Sequence, residues 1–93
     1  MRAKDFQVNE KGWYTYQGKL VVATATTYLL NYGYARKDGI TYRKYYDTLT
    51  LVIDGVEYEA IVLDSCGAAM KRNIIDLFVS NSSSSITTQI TVK

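Results

Sequence analysis

The sequence predicts a small all-β domain, and three features of its composition and patterning support this. The chain has 93 residues, 47% apolar and 22% charged, which is enough for one hydrophobic core and too little for two. Nine tyrosines, with abundant Thr, Val and Ile, favour pleated and half-buried surfaces. No long window keeps apolar side chains at helical spacing, so helices should be short. We expect five or six strands, which suit a small closed barrel better than a sandwich.

Alternation and turn residues locate the elements. Asp54-Gly55 is the typical two-residue turn of a hairpin, since both central residues need positive φ. A short helical turn is expected within 67–72, and a long loop or loose hairpin over 31–45. We assign residues 1–18 to an N-terminal extension packing on the barrel and residues 19–93 to the barrel itself. The predicted strands are 19–28, 47–53, 56–63, 74–79 and 86–92.

Composition excludes several classes of function. The single cysteine, Cys66, cannot form an internal disulfide or a four-cysteine metal site, and packing in a tight turn is its expected role. Without histidine there is no imidazole base, no Ser-His-Asp triad and no histidine-ligated zinc. An enzyme built from this chain would depend on carboxylates, hydroxyls, lysines, arginines or an oxygen-bound metal. We place no metal site, because an oxygen-only site needs more ligands than the aspartates supply, and we expect no cofactor.

Charge and hydropathy limit the partners and the location. A net charge of +2 is too weak to argue for nucleic acid or an anionic membrane. The first residues have no apolar run that could form the core of a signal peptide, and no run in the chain is long enough to span a membrane. The sequence therefore leaves the localisation open.

The hairpin predicts which way the side chains point. A two-residue turn places Ile53 opposite Val56 and starts one apolar face, and continuing the alternation puts Asp64 on that core side. Partial burial would raise the pKa of this carboxyl group, as a general acid requires. The other interpretation of Asp64 is a cap bonded to the N–H groups of Cys66 or Gly67. The face consists of Leu49, Leu51, Ile53, Val56, Tyr58, Ala60 and Val62.

Asp76 is also unusual, because it is a charged residue within an apolar strand. It interrupts the apolar run 74–79, where a buried charge costs several kcal/mol unless it is paired or hydrogen-bonded. It either accepts backbone N–H bonds and stabilises a turn, or belongs to a functional site.

Residues 62–78, VLDSCGAAMKRNIIDLF, resemble the signature of the three-aspartate (3D) domain. In that family an Asp ends a strand, a turn of small residues with glycines and a lysine follows, and an Asn-x-Ile-Asp-Leu-Phe-like strand comes next. Residues 22–28 resemble the family's opening strand and residues 86–92 its closing strand. The family is related to the catalytic domain of lytic transglycosylase A and to resuscitation-promoting muralytic proteins.

The resemblance implies a six-stranded double-psi β-barrel that acts on the glycan strands of peptidoglycan. Asp64 would be the general acid and base, and Asp76 matches the second signature aspartate. The first has no secure match: Asp47, Asp38 or neither fills its place, because this chain lacks the Asp-Pro of the family. The chain also has Ser65-Cys66-Gly67-Ala68 where the family has a Gly-Gly pair. The expected substrate-binding residues are Thr26, Tyr28, Gly67, Lys71 and Asn73.

The rival hypothesis is a structural or wall-binding β-barrel without catalysis. The tyrosines of the long loop could stack on sugar rings or anchor a protein partner; they are Tyr32, Tyr34, Tyr42, Tyr45 and Tyr46. Lys71 could hold an acetamido or carboxylate group of the glycan, or simply solvate its turn. Within the resemblance, the missing signal peptide favours a phage tail or cell-wall assembly, whose proteins would be further partners.

Overall fold

The structure, a computed structural model, describes residues 5–72, 74–80 and 90–93. In these residues the chain is mostly β, which confirms the predicted fold class. The elements in chain order are β1 (Gln7–Val8), β2 (Tyr14–Tyr16), β3 (Lys19–Thr24), α1 (Thr27–Asn31), β4 (Thr48–Ile53), β5 (Val56–Ser65), α2 (Ala69–Arg72), β6 (Asp76–Leu77) and β7 (Thr91–Val92).

These strands form one sheet of seven in the order β1-β2-β3-β5-β4-β7, and β6 pairs with β3. The β3–β5 pair is parallel, and every other pairing of these strands is antiparallel. Over the described residues the sheet does not close into the expected barrel. β7 lies inside the predicted strand 86–92, of which residues 86–89 are outside the described part.

The central hairpin has the predicted register. Ile53 pairs with Val56 and Leu51 with Tyr58, and the same register continues along β4 and β5 without interruption. Asp54 (φ +52°) and Gly55 (φ +80°) both have the positive φ that a two-residue turn needs. The two-residue turn and the alternating apolar residues of the flanking strands therefore determine this part of the fold.

Gly55→Ala is expected to lower the free energy of unfolding by about 1–2 kcal/mol, because alanine is disfavoured at positive φ. A Cβ at Gly55 would meet no atom within 4 Å, so the loss would reflect backbone conformation alone. Gly67→Ala is the matched control, since Gly67 also has open space around it but lies outside the positive-φ region. Urea titration of both variants measures the difference, and equal midpoints would contradict it.

β3 lies at the centre of the core. Five of its six residues are buried, so both of its faces are covered, as expected for a strand with a parallel neighbour. Trp13 comes from the N-terminal segment yet packs in the main cluster, and the domain boundary predicted at residue 18 falls in the turn between β2 and β3. The buried members of that cluster are Trp13, Leu20, Val22, Leu51, Ile53, Ala60, Val62 and Leu77.

Two predicted strands are too long. The strand predicted over 19–28 ends at Thr24, because the chain turns into α1 after Thr26, an extended residue at the helix N-cap. The strand predicted over 74–79 is reduced to β6, with an isolated bridge between Val79 and Trp13. The long loop is confirmed over 32–47, where one bridge joins Arg43 to Thr26. The predicted helical turn is confirmed as α2.

None of the helices in the described part of the chain is long and apolar enough to cross a membrane.

Candidate functional site

The prediction that Asp64 lies on the core side is wrong. The β3–β5 register shifts after Val22↔Val62, so that Ala23 pairs with Asp64 and Leu63 is the extra residue of a bulge. One inserted residue reverses the alternation, and Asp64 is exposed. Its Oδ1 accepts the N–H of Ser65 at 2.8 Å, rather than those of Cys66 or Gly67. The expected desolvation of this carboxyl group is therefore not provided by the domain itself.

Asp76 is exposed too, which corrects its predicted burial. Asp76 lies in β6, which pairs antiparallel with β3, and the next residue, Leu77, packs in the core. This alternation of an exposed Asp and a buried Leu accounts for the interruption of the apolar run. Asp76 thus lies at the surface with no burial cost.

The fold nevertheless brings Asp64 and Asp76 into one row. Ala23 pairs with Asp64 across β5 and with Asp76 across β6, so the two aspartates flank the same residue. Paired residues of neighbouring strands share a face, and two strand spacings separate their Cα atoms by roughly 10 Å. Ala23 itself is buried, at 3% exposed, whereas both carboxyl-bearing residues are exposed. The two carboxylates therefore reach solvent on either side of a covered residue.

Asp47 occupies a different place. Its Oδ2 accepts the Lys44 N–H at 2.8 Å, and its backbone carbonyl accepts the Val62 N–H at 2.9 Å. The side chain thus stabilises the turn that leads into β4, as Asp commonly does in turns. Asp38, the other candidate for the first signature aspartate, lies exposed in the long loop. Neither joins the row of Asp64 and Asp76.

A hydrogen-bonded chain of three hydroxyl groups lies at the end of β5, and it is centred on Ser65, whose side chain alternates with that of Asp64. The parallel pairing of β3 and β5 brings their carboxyl ends together, where Ser65 Oγ is 2.5 Å from Thr26 Oγ1 and 2.7 Å from Tyr45 Oη. Thr26 is fully buried, so this chain anchors the exposed end of β5 to the interior. The Cys66 N–H also donates to the Thr24 carbonyl at 2.8 Å. These hydrogen bonds therefore hold in place the end of the strand that carries Asp64.

Three tyrosine rings adjoin this hydroxyl chain. Tyr28 contacts Tyr32 with ring centroids 5.4 Å apart and Tyr45 with centroids 5.7 Å apart. All three side chains are exposed, and Tyr32 is the most exposed at 72%. The rings thus form a continuous aromatic surface that reaches Ser65 through the Tyr45 hydroxyl.

Two further predicted substrate-binding residues, Gly67 and Lys71, lie just before and within α2. Gly67 and Lys71 are exposed, and Asn73 is outside the described residues. Gly67 lacks the positive φ or close approach that would demand glycine. Thr26 contacts the end of β5 through Ser65, and Tyr28 contacts Tyr45, which bonds to the same serine.

Neither Ser65 nor Tyr45 is among the site residues predicted from the sequence. Ser65 belongs to the small-residue turn and Tyr45 to the run of loop tyrosines, so no local pattern pairs residues 20 positions apart. Among residues 5–72, 74–80 and 90–93, no group of three or more Asp, Glu or Cys could hold a metal ion.

Comparison with family models, curated proteins and solved structures found no match to this chain.

Proposed function

We propose that this domain binds the glycan strands of peptidoglycan and cleaves them as a lytic transglycosylase-like enzyme. The observation that carries the proposal is the pairing of two exposed aspartates, Asp64 and Asp76, with the same residue, Ala23. These are the two aspartates that the resemblance to the 3D domain singles out, and they lie 12 positions apart in the chain. Their meeting in one row is what a shared site for a sugar chain requires.

Asp64 is the proposed acid and base. As a carboxylic acid it protonates the glycosidic oxygen between N-acetylmuramic acid and N-acetylglucosamine while the bond from that oxygen to C1 breaks. As a carboxylate it then takes the proton of the muramoyl 6-hydroxyl, whose oxygen bonds to C1 and closes a 1,6-anhydro ring. The proton returns to Asp64, and no water is consumed.

The substrate supplies the burial that this mechanism requires. Asp64 is exposed in the free domain, and a glycan strand lying over the row would exclude water from its carboxyl group. Exclusion of water favours the neutral acid over the carboxylate. Asp76 is proposed to orient the glycan from the other side of Ala23.

The fold is proposed, on the same resemblance, to be a double-psi β-barrel. The support is the place of the two aspartates, at the end of β5 and at the start of β6, where both strands meet β3. The order of these elements follows the order of the family's signature.

A non-catalytic wall-binding module is the second candidate. The exposure of Asp64 favours it, because the domain alone does not bury the carboxyl group as catalytic acids commonly require. Such a module would serve in a phage particle or a cell-wall assembly.

Incubation with purified Gram-positive cell walls separates the two candidates. We expect soluble muropeptides that carry 1,6-anhydro ends, detected by mass spectrometry against walls incubated without protein. Products with free reducing ends would instead indicate hydrolysis by water and overturn the transglycosylase chemistry. Sedimentation with walls and no product would favour the binding module. If the protein neither releases product nor sediments with walls, both candidates are overturned.

A further inference from the structure

We propose that an exposed aromatic surface on α1 and the long loop docks an acidic, apolar segment of a protein partner. This surface is separate from the proposed acid, because it reaches β5 through Ser65, whose side chain alternates with that of Asp64. We call it the docking surface, and its members are Tyr28, Tyr32, Tyr45 and Tyr46 together with Arg43 and Lys44.

The exposed aromatic side chains are concentrated in one part of the molecule. Among the aromatic residues that the structure describes, every exposed one lies between positions 28 and 46. Tyr32 is 72% and Tyr46 66% exposed, and ring contacts join Tyr28 to Tyr32 and to Tyr45. Contiguous exposed apolar surface marks interaction sites, and tyrosine is enriched at the energetic centres of protein interfaces. The docking surface therefore has the composition of a protein interface.

The net charge of the chain comes from the same segment. Residues 28–47 contain four basic and two acidic side chains, whereas the rest of the chain contains seven of each. Two of the four cations, Arg43 and Lys44, directly precede Tyr45 in the loop. These cations would attract the carboxylates of a partner while its apolar side chains cover the rings. The charge therefore selects an acidic segment over a basic or neutral one.

Tyr46 adopts a backbone conformation that a tyrosine side chain disfavours. Its φ is +71°, where Cβ is strained and glycine is the usual residue. The Tyr46 N–H donates to the Val62 carbonyl at 2.8 Å, which fixes this conformation against β5. Because the ring is largely exposed, packing within the domain offsets little of the strain. A partner that covers the ring would supply the contacts that the domain does not.

The loop that carries these residues is preformed. The Arg43 N–H donates to the Ala25 carbonyl at 2.9 Å, and the Arg43 carbonyl accepts the Thr27 N–H at 2.9 Å. Ile40 and Tyr42 pack against the second apolar cluster of the domain. Long loops without secondary structure of their own usually carry function, and a loop held in this way binds a partner with little further ordering.

Single-stranded nucleic acid fits this surface less well. A run of stacked bases presents parallel planes to a positively charged groove. The ring planes of Tyr28 and Tyr32 are inclined at 42°, and those of Tyr28 and Tyr45 at 49°. Asp38 and Asp47 also lie in the segment, which leaves little positive charge for closely spaced phosphates. A polypeptide can instead place side chains of different orientations against inclined rings.

Selection of a random peptide library, displayed on phage, against the intact chain tests the proposal. We expect the enriched peptides to combine acidic with apolar residues, and synthetic copies of them are titrated against each variant by fluorescence polarisation. Tyr32→Ala and Lys44→Gln remove one ring and one charge of the docking surface. The matched controls are Tyr34→Ala, which removes a 58% exposed tyrosine outside the ring contacts of the surface, and Lys19→Gln, which removes a cation at the start of β3.

We expect Tyr32→Ala and Lys44→Gln each to weaken peptide binding by about 3- to 10-fold, and the loss at Lys44 to shrink at high salt. Both controls should match the wild type. Tyr46→Gly should also weaken binding, yet its urea midpoint of unfolding should be no lower than that of the wild type, because glycine tolerates the positive φ. A role in the fold alone would not separate binding from stability in this way.

Three results would overturn the proposal. Enrichment of neutral or basic peptides, or of none, rules out the proposed partner. Acidic peptides that bind Tyr32→Ala and Lys44→Gln as tightly as the wild type rule out the proposed location. Tighter binding of oligothymidylate than of the peptides at the same residues would assign the surface to nucleic acid. None of these results depends on the release of muropeptides, so glycan cleavage is tested separately.

Discussion

Asp64→Asn is expected to abolish the release of anhydromuropeptides from cell walls. Asparagine has nearly the same shape but no proton to donate to the glycosidic oxygen, and loss of a general acid lowers rates by about 10²- to 10⁴-fold. The fold should be unaffected, because Asp64 is exposed and the asparagine oxygen can still accept the Ser65 N–H. Initial rates of product release, measured by mass spectrometry at equal protein concentration, test this expectation.

Asp76→Asn and Asp47→Asn are the matched controls. Asp76→Asn makes the same chemical change at the other aspartate that pairs with Ala23. A smaller loss of rate is expected, because Asp76 orients the glycan without transferring a proton. Asp47→Asn should leave the rate near that of the wild type, since its side-chain oxygen bonds to the Lys44 N–H in a turn. An unchanged rate for Asp64→Asn would remove Asp64 from the acid role. A total loss confined to Asp76→Asn would move that role to Asp76.

The hairpin was predictable because its determinants are local. A two-residue turn with positive φ at both Asp54 and Gly55 admits one register, and the register then places Leu51, Ile53 and Ala60 in the core. These predictions needed no information from distant parts of the chain.

The place of Asp64 was not predictable by the same rule. Alternation holds only while each residue has a partner, and the bulge at Leu63 arises from the pairing of β5 with β3, which lies some 40 positions earlier in the chain. The row of Asp64, Ala23 and Asp76 depends on two such long-range pairings. Local patterns identified both aspartates as unusual. That both pair with Ala23 could be seen only in the folded structure.

The end of β3 illustrates a second limit. Residues 19–28 alternate like a strand throughout, yet Thr26 already caps α1 and the strand stops at Thr24. Thr and Tyr fit both conformations at that point, so propensity does not decide between them. The contact that ends the strand comes from Arg43 of the long loop, which bridges to Thr26 and bonds to the backbone of Ala25 and Thr27.

Trp13→Ala is expected to cause the largest loss of stability among the predicted effects. Trp13 is 3% exposed in the main core cluster, and its ring lies 5.4 Å from that of Tyr58 in an edge-to-face arrangement. Removing a buried Trp costs about 3–5 kcal/mol, which is a large part of the 5–15 kcal/mol typical of a whole domain. Urea unfolding followed by circular dichroism measures the loss, since Trp13 is the only tryptophan and its fluorescence disappears in the variant.

Trp13→Phe separates packing from hydrogen bonding at this position. Over the described residues, the indole Nε1 of Trp13 is buried without a hydrogen-bond partner, so its removal relieves the desolvation of one donor while most of the aromatic packing remains. We therefore expect Trp13→Phe to lose much less stability than Trp13→Ala. If Trp13→Ala unfolds at the wild-type urea concentration, the N-terminal segment contributes little to the core and the bridge from Trp13 to Val79 is dispensable. A loss confined to Trp13→Ala would instead show that the N-terminal strands are integral to the domain, because their aromatic anchor fills the centre of its core.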